Sequence, residues 1–147
     1  MNSQPNLIEL FKKYGSDKHS NHHNYGFKYE NLFSSMRDKP IVMVEIGIGS
    51  INPNIPSNMP HSGYKPGASL RAWRDYFSNG LIYGCDIDRD ILFTEDRIKT
   101  FFFDQTNPPY VLPNISYNSC DIIVDDGLHN FHYNWEVFKG LYPYLKT

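Results

Sequence analysis

"IVMVEIGIGS", residues 41–50, runs an apolar stretch into a turn that holds two glycines. A short apolar run of this kind reads as a strand buried on both faces, the mark of a parallel sheet. Gly47 and Gly49 allow a tight turn and a close approach of backbone to a ligand. Three later stretches share the pattern: "LIYGCDID" at 81–88, "IKTFFFDQ" at 98–105 and "DIIVDDG" at 121–127.

Helical spacing fills the intervals. "ASLRAWRDYF" (68–77) sets Leu70, Trp73 and Phe77 on one face, with Ser69 as a candidate cap and "SNG" as the stop. "NFHYNWEVFKGLYPYLK" (130–146) repeats Phe131, Trp135, Phe138, Leu141 and Leu145 at helical spacing, and Trp73 and Trp135 both read as core. Upstream, residues 5–14 form a short amphipathic helix. A second helical pattern carries Tyr29, Leu32, Phe33 and Met36 and is broken by "RDKP". Residues 51–67, rich in Pro and Asn, make a loop longer than a simple connection needs. Strands alternating with helices predict an α/β domain with a parallel sheet and helices on both faces. Ligands of such sheets bind outside the carboxyl ends of the strands.

A chain of 147 residues is long enough for one real core, burying roughly 68–70% of its unfolded surface. Hydrophobic residues at 40% against 20% charged argue for a globular fold rather than disorder. The net charge of −2 comes without a basic stripe, which disfavours nucleic acid as a partner. Cys85 and Cys120 both sit in apolar runs, so a reducing compartment is expected and a disulfide is not. No signal peptide is read at the N-terminus, and no apolar stretch approaches the ~20 residues that span a bilayer. The expectation is a soluble cytoplasmic protein.

Acids stand at every predicted strand end: Glu45, Asp86 and Asp88, Asp104 beside Gln105, and Asp125 with Asp126. Any one of these reads equally as a turn former, and Asp125–Asp126 as a cap for the last helix. Four strands ending alike on one sheet edge point to a site. An acid one strand–helix–strand unit beyond a glycine turn suits ribose hydroxyls, and Asp104 with Gln105 suits an adenine edge. His19, His22 and His23 lack the matching ligands of a metal cluster. Asp90, Glu95 and Asp96 read as a solvated face, and His132 as surface or packing.

Taken in order, "VEIGIGS", "PGASLRAWRDYF", "IYGCDID", "RIKTFFFDQ" and "DIIVDDGLH" resemble S-adenosylmethionine-dependent class I methyltransferases. More narrowly, they resemble the macrocin/mycinamicin/novobiocin-type sugar O-methyltransferases, which use a divalent metal. "YGSDKHSNHHNYGFKYENLF" (14–33) resembles the N-terminal segment of that group. The resemblance implies an N-terminal helical lid segment over residues 1–39 and a Rossmann-like cofactor-binding domain over 40–147. It implies that Glu45, Gly47, Gly49, Gly67, Ala68 and Ser69 lie at the methionine end of S-adenosylmethionine, Asp86 at the ribose, and Asp104, Gln105 and Asp125 toward the adenosine. Asp126 becomes a ligand of Mg²⁺ and His129 the base that takes a proton from a sugar hydroxyl, both in catalytic positions. Asp17, Lys18 and Tyr25 belong to the lid. The partner implied is a small-molecule or glycan acceptor.

The family pattern continues beyond Thr147 with further strands and acidic metal ligands. The resemblance therefore implies a sheet lacking its C-terminal strands, an incomplete metal site, and an open edge on the fourth strand able to pair with a second copy. Two alternatives stand beside it. One is a cofactor-binding or interaction module without turnover. The other is a nicotinamide-binding Rossmann protein, disfavoured because "EIGIGS" lacks a third glycine.

Overall fold

The structure, a computed structural model, describes residues 4–19, 23–57, 59 and 63–147; His22 lies outside the described residues. At its centre β1 (Val42–Ile46) pairs in parallel with β2 (Leu81–Asp86) on one side and β5 (Ile122–Asp125) on the other. β2 in turn pairs in parallel with β4 (Ile98–Phe102). The short β3 (Thr94–Glu95) runs antiparallel to β4, giving the order β3-β4-β2-β1-β5. The sequence gives little sign of β3, because an antiparallel pair needs only the two-residue turn Asp96–Arg97. Glu95 is no solvated side chain: its carboxylate takes Arg71 Nη2 at 2.7 Å and Nε at 3.1 Å.

Alternation along β1 divides the core between the two sheet faces, as a period of two requires. Met43 joins Ile82, Ile98, Leu70, Trp73 and Phe77 on one face, while Val44 and Ile46 join Cys85, Phe103, Val137 and Leu141 on the other. Helices cover both faces, as the α/β pattern predicts. The first face carries α1 (Leu7–Tyr14), α2 (Tyr25–Phe33) and α3 (Ala68–Tyr76). α1 is held by a capping box between Asn6 and Glu9 and ends on Gly15. Its Phe11 meets Trp73 edge-on at 5.0 Å, and Tyr29 of α2 meets the same indole at 5.2 Å. The N-terminal segment thus shares one core with the sheet. α3 starts from Gly67 rather than from a Ser69 cap.

The second face carries α4 (Phe131–Leu141), capped by Asn130, whose side chain accepts from the backbone of His132 and Tyr133. The cap is therefore Asn130, not Asp125 or Asp126. The expected stripe of α4 is split: Leu141 is buried and Leu145 packs on the same core, but Phe131 is 86% exposed, Trp135 50% and Phe138 52%. Val137 and, just beyond the helix, Tyr144 point inward with Leu141 instead. Both stripes have helical spacing, so periodicity alone does not choose between them. After α4 the chain lays Leu145 parallel to Cys120, so the outer side of β5 is met at its start rather than left wholly open. No helix among the described residues is long and apolar enough to cross a membrane.

The two tryptophans make a test of this packing. Trp73→Ala is expected to cost about 3–5 kcal/mol, as truncation of a buried indole does. Trp135→Ala, on the outer face of α4, should stay within about 0.5 kcal/mol. Urea unfolding of both variants checks the assignment, and equal losses would contradict it.

Candidate functional site

The carboxyl ends of β1, β2, β4 and β5 open on a cavity of about 510 Å³, within the usual size of a small-molecule site. Its walls include the turn Gly47–Ser50 after β1, Asp86 and Ile87 after β2, and Phe103–Thr106 after β4. Asp126–His129 after β5 closes one side, and Asp17, Lys18 and Tyr25 reach in from the N-terminal segment. Ser69 touches it from α3. Four expected site residues do not line it. Gly67 and Ala68 set the start of α3, Glu45 lies beneath the cavity, and Asp125 holds the loop behind it.

Glu45 is completely buried. Its Oε2 accepts from Ser69 Oγ at 2.8 Å and from Trp73 Nε1 at 3.1 Å, and Lys18 Nζ stands 3.2 Å from Oε1. Lys18 also donates to Asp126, joining the ends of β1 and β5 through one ammonium. Burial pushes the Glu45 carboxyl above its ordinary pKa, and the Lys18 charge works against that rise. Burial alone would lower the pKa of Lys18, but Glu45 and Asp126 outweigh it and keep the ammonium protonated. The sequence offered no sign of this burial, since Lys18 sits in a polar stretch.

Asp86 faces the cavity from the end of β2, but its carboxylate already works within the chain. Oδ2 accepts from the Ile48 amide and Oδ1 from the Asp88 amide, both at 2.9 Å. Burial raises its pKa, and those amides pull it down. Each oxygen keeps a second lone pair, so ribose contacts are compatible with the anchor. Asp104 is fixed through Oδ1 by the amide and hydroxyl of Thr106.

Behind Asp104, Gln105 lines the cavity and its side chain also meets partners within the chain. Its Nε2 donates to Asp125 Oδ1 at 2.9 Å and its Oε1 accepts from the Leu128 amide at 2.7 Å. Asp125 further accepts from Gly127 and Asn134. His129 is well exposed, with Nε2 3.8 Å from Asp126 Oδ1. Its φ of 52° lies in the left-handed region, which costs a non-glycine residue about 1–2 kcal/mol.

Sequence reasoning missed Tyr64, which reaches back from the long loop to donate to the Ile48 carbonyl at 3.0 Å and covers Gly49. A tyrosine among prolines and asparagines carries no signal for that contact. The described residues contain no group of three or more His, Cys, Asp or Glu able to hold a metal. Asp126 is a lone carboxylate with one oxygen on Lys18. Mg²⁺ commonly takes one or two carboxylates and completes its shell with water, so Asp126 fits as a single ligand.

Lys18→Met tests the buried pair. It leaves Glu45 without its cation, and removal of one partner from a buried pair costs about 3–5 kcal/mol. Glu45, its pKa already raised by burial, then loses the charge that opposed the rise, so the variant's stability falls more than the wild type's as pH climbs above the unfolded value of about 4.3. The gap between wild type and variant in urea midpoint should widen from about pH 4.5 to 7.5. A gap independent of pH would remove Glu45 from the account.

No family model matches the sequence. The chain is 35% identical over 142 residues to 8-demethyl-8-alpha-L-rhamnosyl tetracenomycin-C 2'-O-methyltransferase of Streptomyces olivaceus, covering 96% of this chain and 35% of that one. It is 34% identical over 146 residues to demethylmacrocin O-methyltransferase of Streptomyces fradiae, covering 98% and 34%. Among solved structures, it superposes on the MycE methyltransferase of the mycinamycin pathway, in complex with Mg and SAH, with a TM-score of 0.74. Identity there is 28%, over 98% of this chain and 35% of that one. The chain thus spans about a third of the length of the relatives it matches. Along almost all of its residues the chain is similar to part of the tetracenomycin, macrocin and mycinamicin O-methyltransferases, and its fold is that of a Rossmann-like class I methyltransferase.

Proposed function

We propose that the protein is an S-adenosylmethionine-dependent, Mg²⁺-assisted O-methyltransferase acting on a sugar hydroxyl of a glycan or glycosylated metabolite. One observation carries this reading. The glycine turn after β1 and acids from β2, β4 and β5 converge on a single cavity, in a chain homologous to enzymes named for that reaction. When bound, S-adenosylmethionine supplies an electrophilic methyl group, and Mg²⁺ beside the acceptor makes its hydroxyl more acidic.

The chain's residues supply position and proton transfer. Gly47 and Gly49 turn their backbone along the cavity at the methionine end, with Ser69 and buried Glu45 behind them. Gly67 and Ala68 set the helix start beside it. Asp86 takes the ribose while anchoring the turn through Ile48, and Asp104 meets the adenosine. Asp126 would supply a carboxylate to Mg²⁺. His129 accepts the hydroxyl proton as the oxygen–carbon bond forms and the sulfur–carbon bond breaks, leaving the thioether. Asp17, Lys18 and Tyr25 cover the site from the N-terminal side. The free, buried thiols of Cys85 and Cys120 suit a reducing, cytoplasmic setting.

Calorimetric titration with S-adenosylhomocysteine should show binding. Asp86→Ala should weaken it about tenfold or more, by losing both the ribose acceptor and the Ile48 anchor. An unchanged Kd would sink the proposed site. His129→Ala should leave that Kd within about twofold and lower methyl transfer to a sugar acceptor by about 10²–10⁴-fold. Unaltered turnover in His129→Ala would take the base role from it.

A further inference from the structure

We infer that Gln105 is the positioning residue of the loop that carries Asp126 and His129, its amide spent on that loop rather than on reading a base. The inference deepens the proposed function, and it rests on that reading only for what the loop does.

The loop is gripped from two sides. On one side lies the turn after β1, where a Cβ on Gly47 would fall 2.4 Å from the Asp126 carbonyl oxygen. Gly47 has φ 81°, and the Asp126 amide donates to the Ile46 carbonyl at 2.9 Å. On the other side lies Gln105, so close that a Cβ on Gly127 would fall 1.8 Å from its Oε1. Glycine at 127 is what lets this side chain lie across the loop.

Gln105 is itself buried, 8% exposed, and its backbone carbonyl accepts from Tyr110 Oη at 2.8 Å. Its two amide ends reach opposite arms of the loop. Nε2 donates to Asp125, just before Asp126, and Oε1 accepts from Leu128, just before His129. The Asn130 side chain then fixes the first amides of α4. His129 is therefore suspended between a clamped neighbour and a helix cap. Left-handed backbone at a non-glycine residue persists where surroundings over-determine it, and Gln105 supplies half of that constraint.

Only an amide serves here. Nε2 faces a carboxylate and the Leu128 N–H needs an acceptor, so glutamate would set two carboxylates together, while alanine would leave the Leu128 amide unmet and Asp125 with only Gly127 and Asn134 as donors. Reversing the pair restores the contact between the two side chains: Gln105→Glu with Asp125→Asn puts the donor at 125 and keeps an acceptor for Leu128, at the cost of the Gly127 hydrogen bond to the same oxygen.

Amide hydrogen exchange at Leu128, with Ile82 of β2 as internal control, tests the clamp. Calorimetric titration with S-adenosylhomocysteine runs beside it. Gln105→Ala and Gln105→Glu should speed Leu128 exchange about tenfold or more relative to Ile82. The reversed pair should recover most of the protection. Both single variants should bind S-adenosylhomocysteine within about threefold of wild type. Leu128 exchange unchanged in Gln105→Ala, or no recovery in the reversed pair, would overturn the inference. So would a Kd weakened more than about tenfold with Leu128 still protected, which would mean the amide reads the cofactor. Absence of S-adenosylhomocysteine binding in wild type would instead strike the proposed function, and the exchange arm would still decide the clamp.

Discussion

The Glu45 carboxylate sits wholly buried at the end of the central strand, and three parts of the molecule are organised around its need for donors. α3 supplies Ser69 and Trp73, and the N-terminal segment supplies Lys18. Through Lys18 the loop after β5 is drawn in as well. A buried carboxylate without partners is among the costliest groups a fold can hold. The sequence positions that meet it are therefore tied together although they lie far apart along the chain. One consequence is that residues 16–18 form part of the cavity wall rather than a detachable cover. Their geometry is set by a charge in the sheet.

What the sequence made legible was the sheet and its binding edge. Short apolar runs ending in acids identify parallel strands and the side on which ligands meet them, because a strand buried on both faces has few ways to place a carboxylate except at its exit. Less legible were choices between two patterns of equal period. α4 carries two apolar stripes, and which one faces Val44 and Cys85 is decided by the sheet, not by the helix. Ser69 has the composition of a cap, yet its hydroxyl serves Glu45. Glu95 looked solvated until the turn before β4 brought it to Arg71. In each case a local preference was overridden by a partner distant in sequence.

The described residues hold much of what a cofactor needs and little of what a metal needs. The glycine turn, Asp86, Asp104 and the loop after β5 all meet one cavity, whereas no group of three or more His, Cys, Asp or Glu gathers for a cation among the described residues. This asymmetry follows from topology: strands β1, β2 and β4 end side by side, while β5 stands at the margin of the sheet. The relatives it matches are about three times as long.

The contrast between the two tryptophans also has an optical side. Trp73 is shielded from water, ringed by Phe11, Tyr29 and Phe77, and hydrogen-bonded to Glu45. Trp135 is half exposed and stacked on Phe138 on the opposite side of the sheet. Intrinsic fluorescence is thus the sum of two unlike emitters. The blue component reports on the core beneath the cavity, through an indole that donates to the buried Glu45 carboxylate. The red component, open to an aqueous quencher, reports on the outer face of α4 alone.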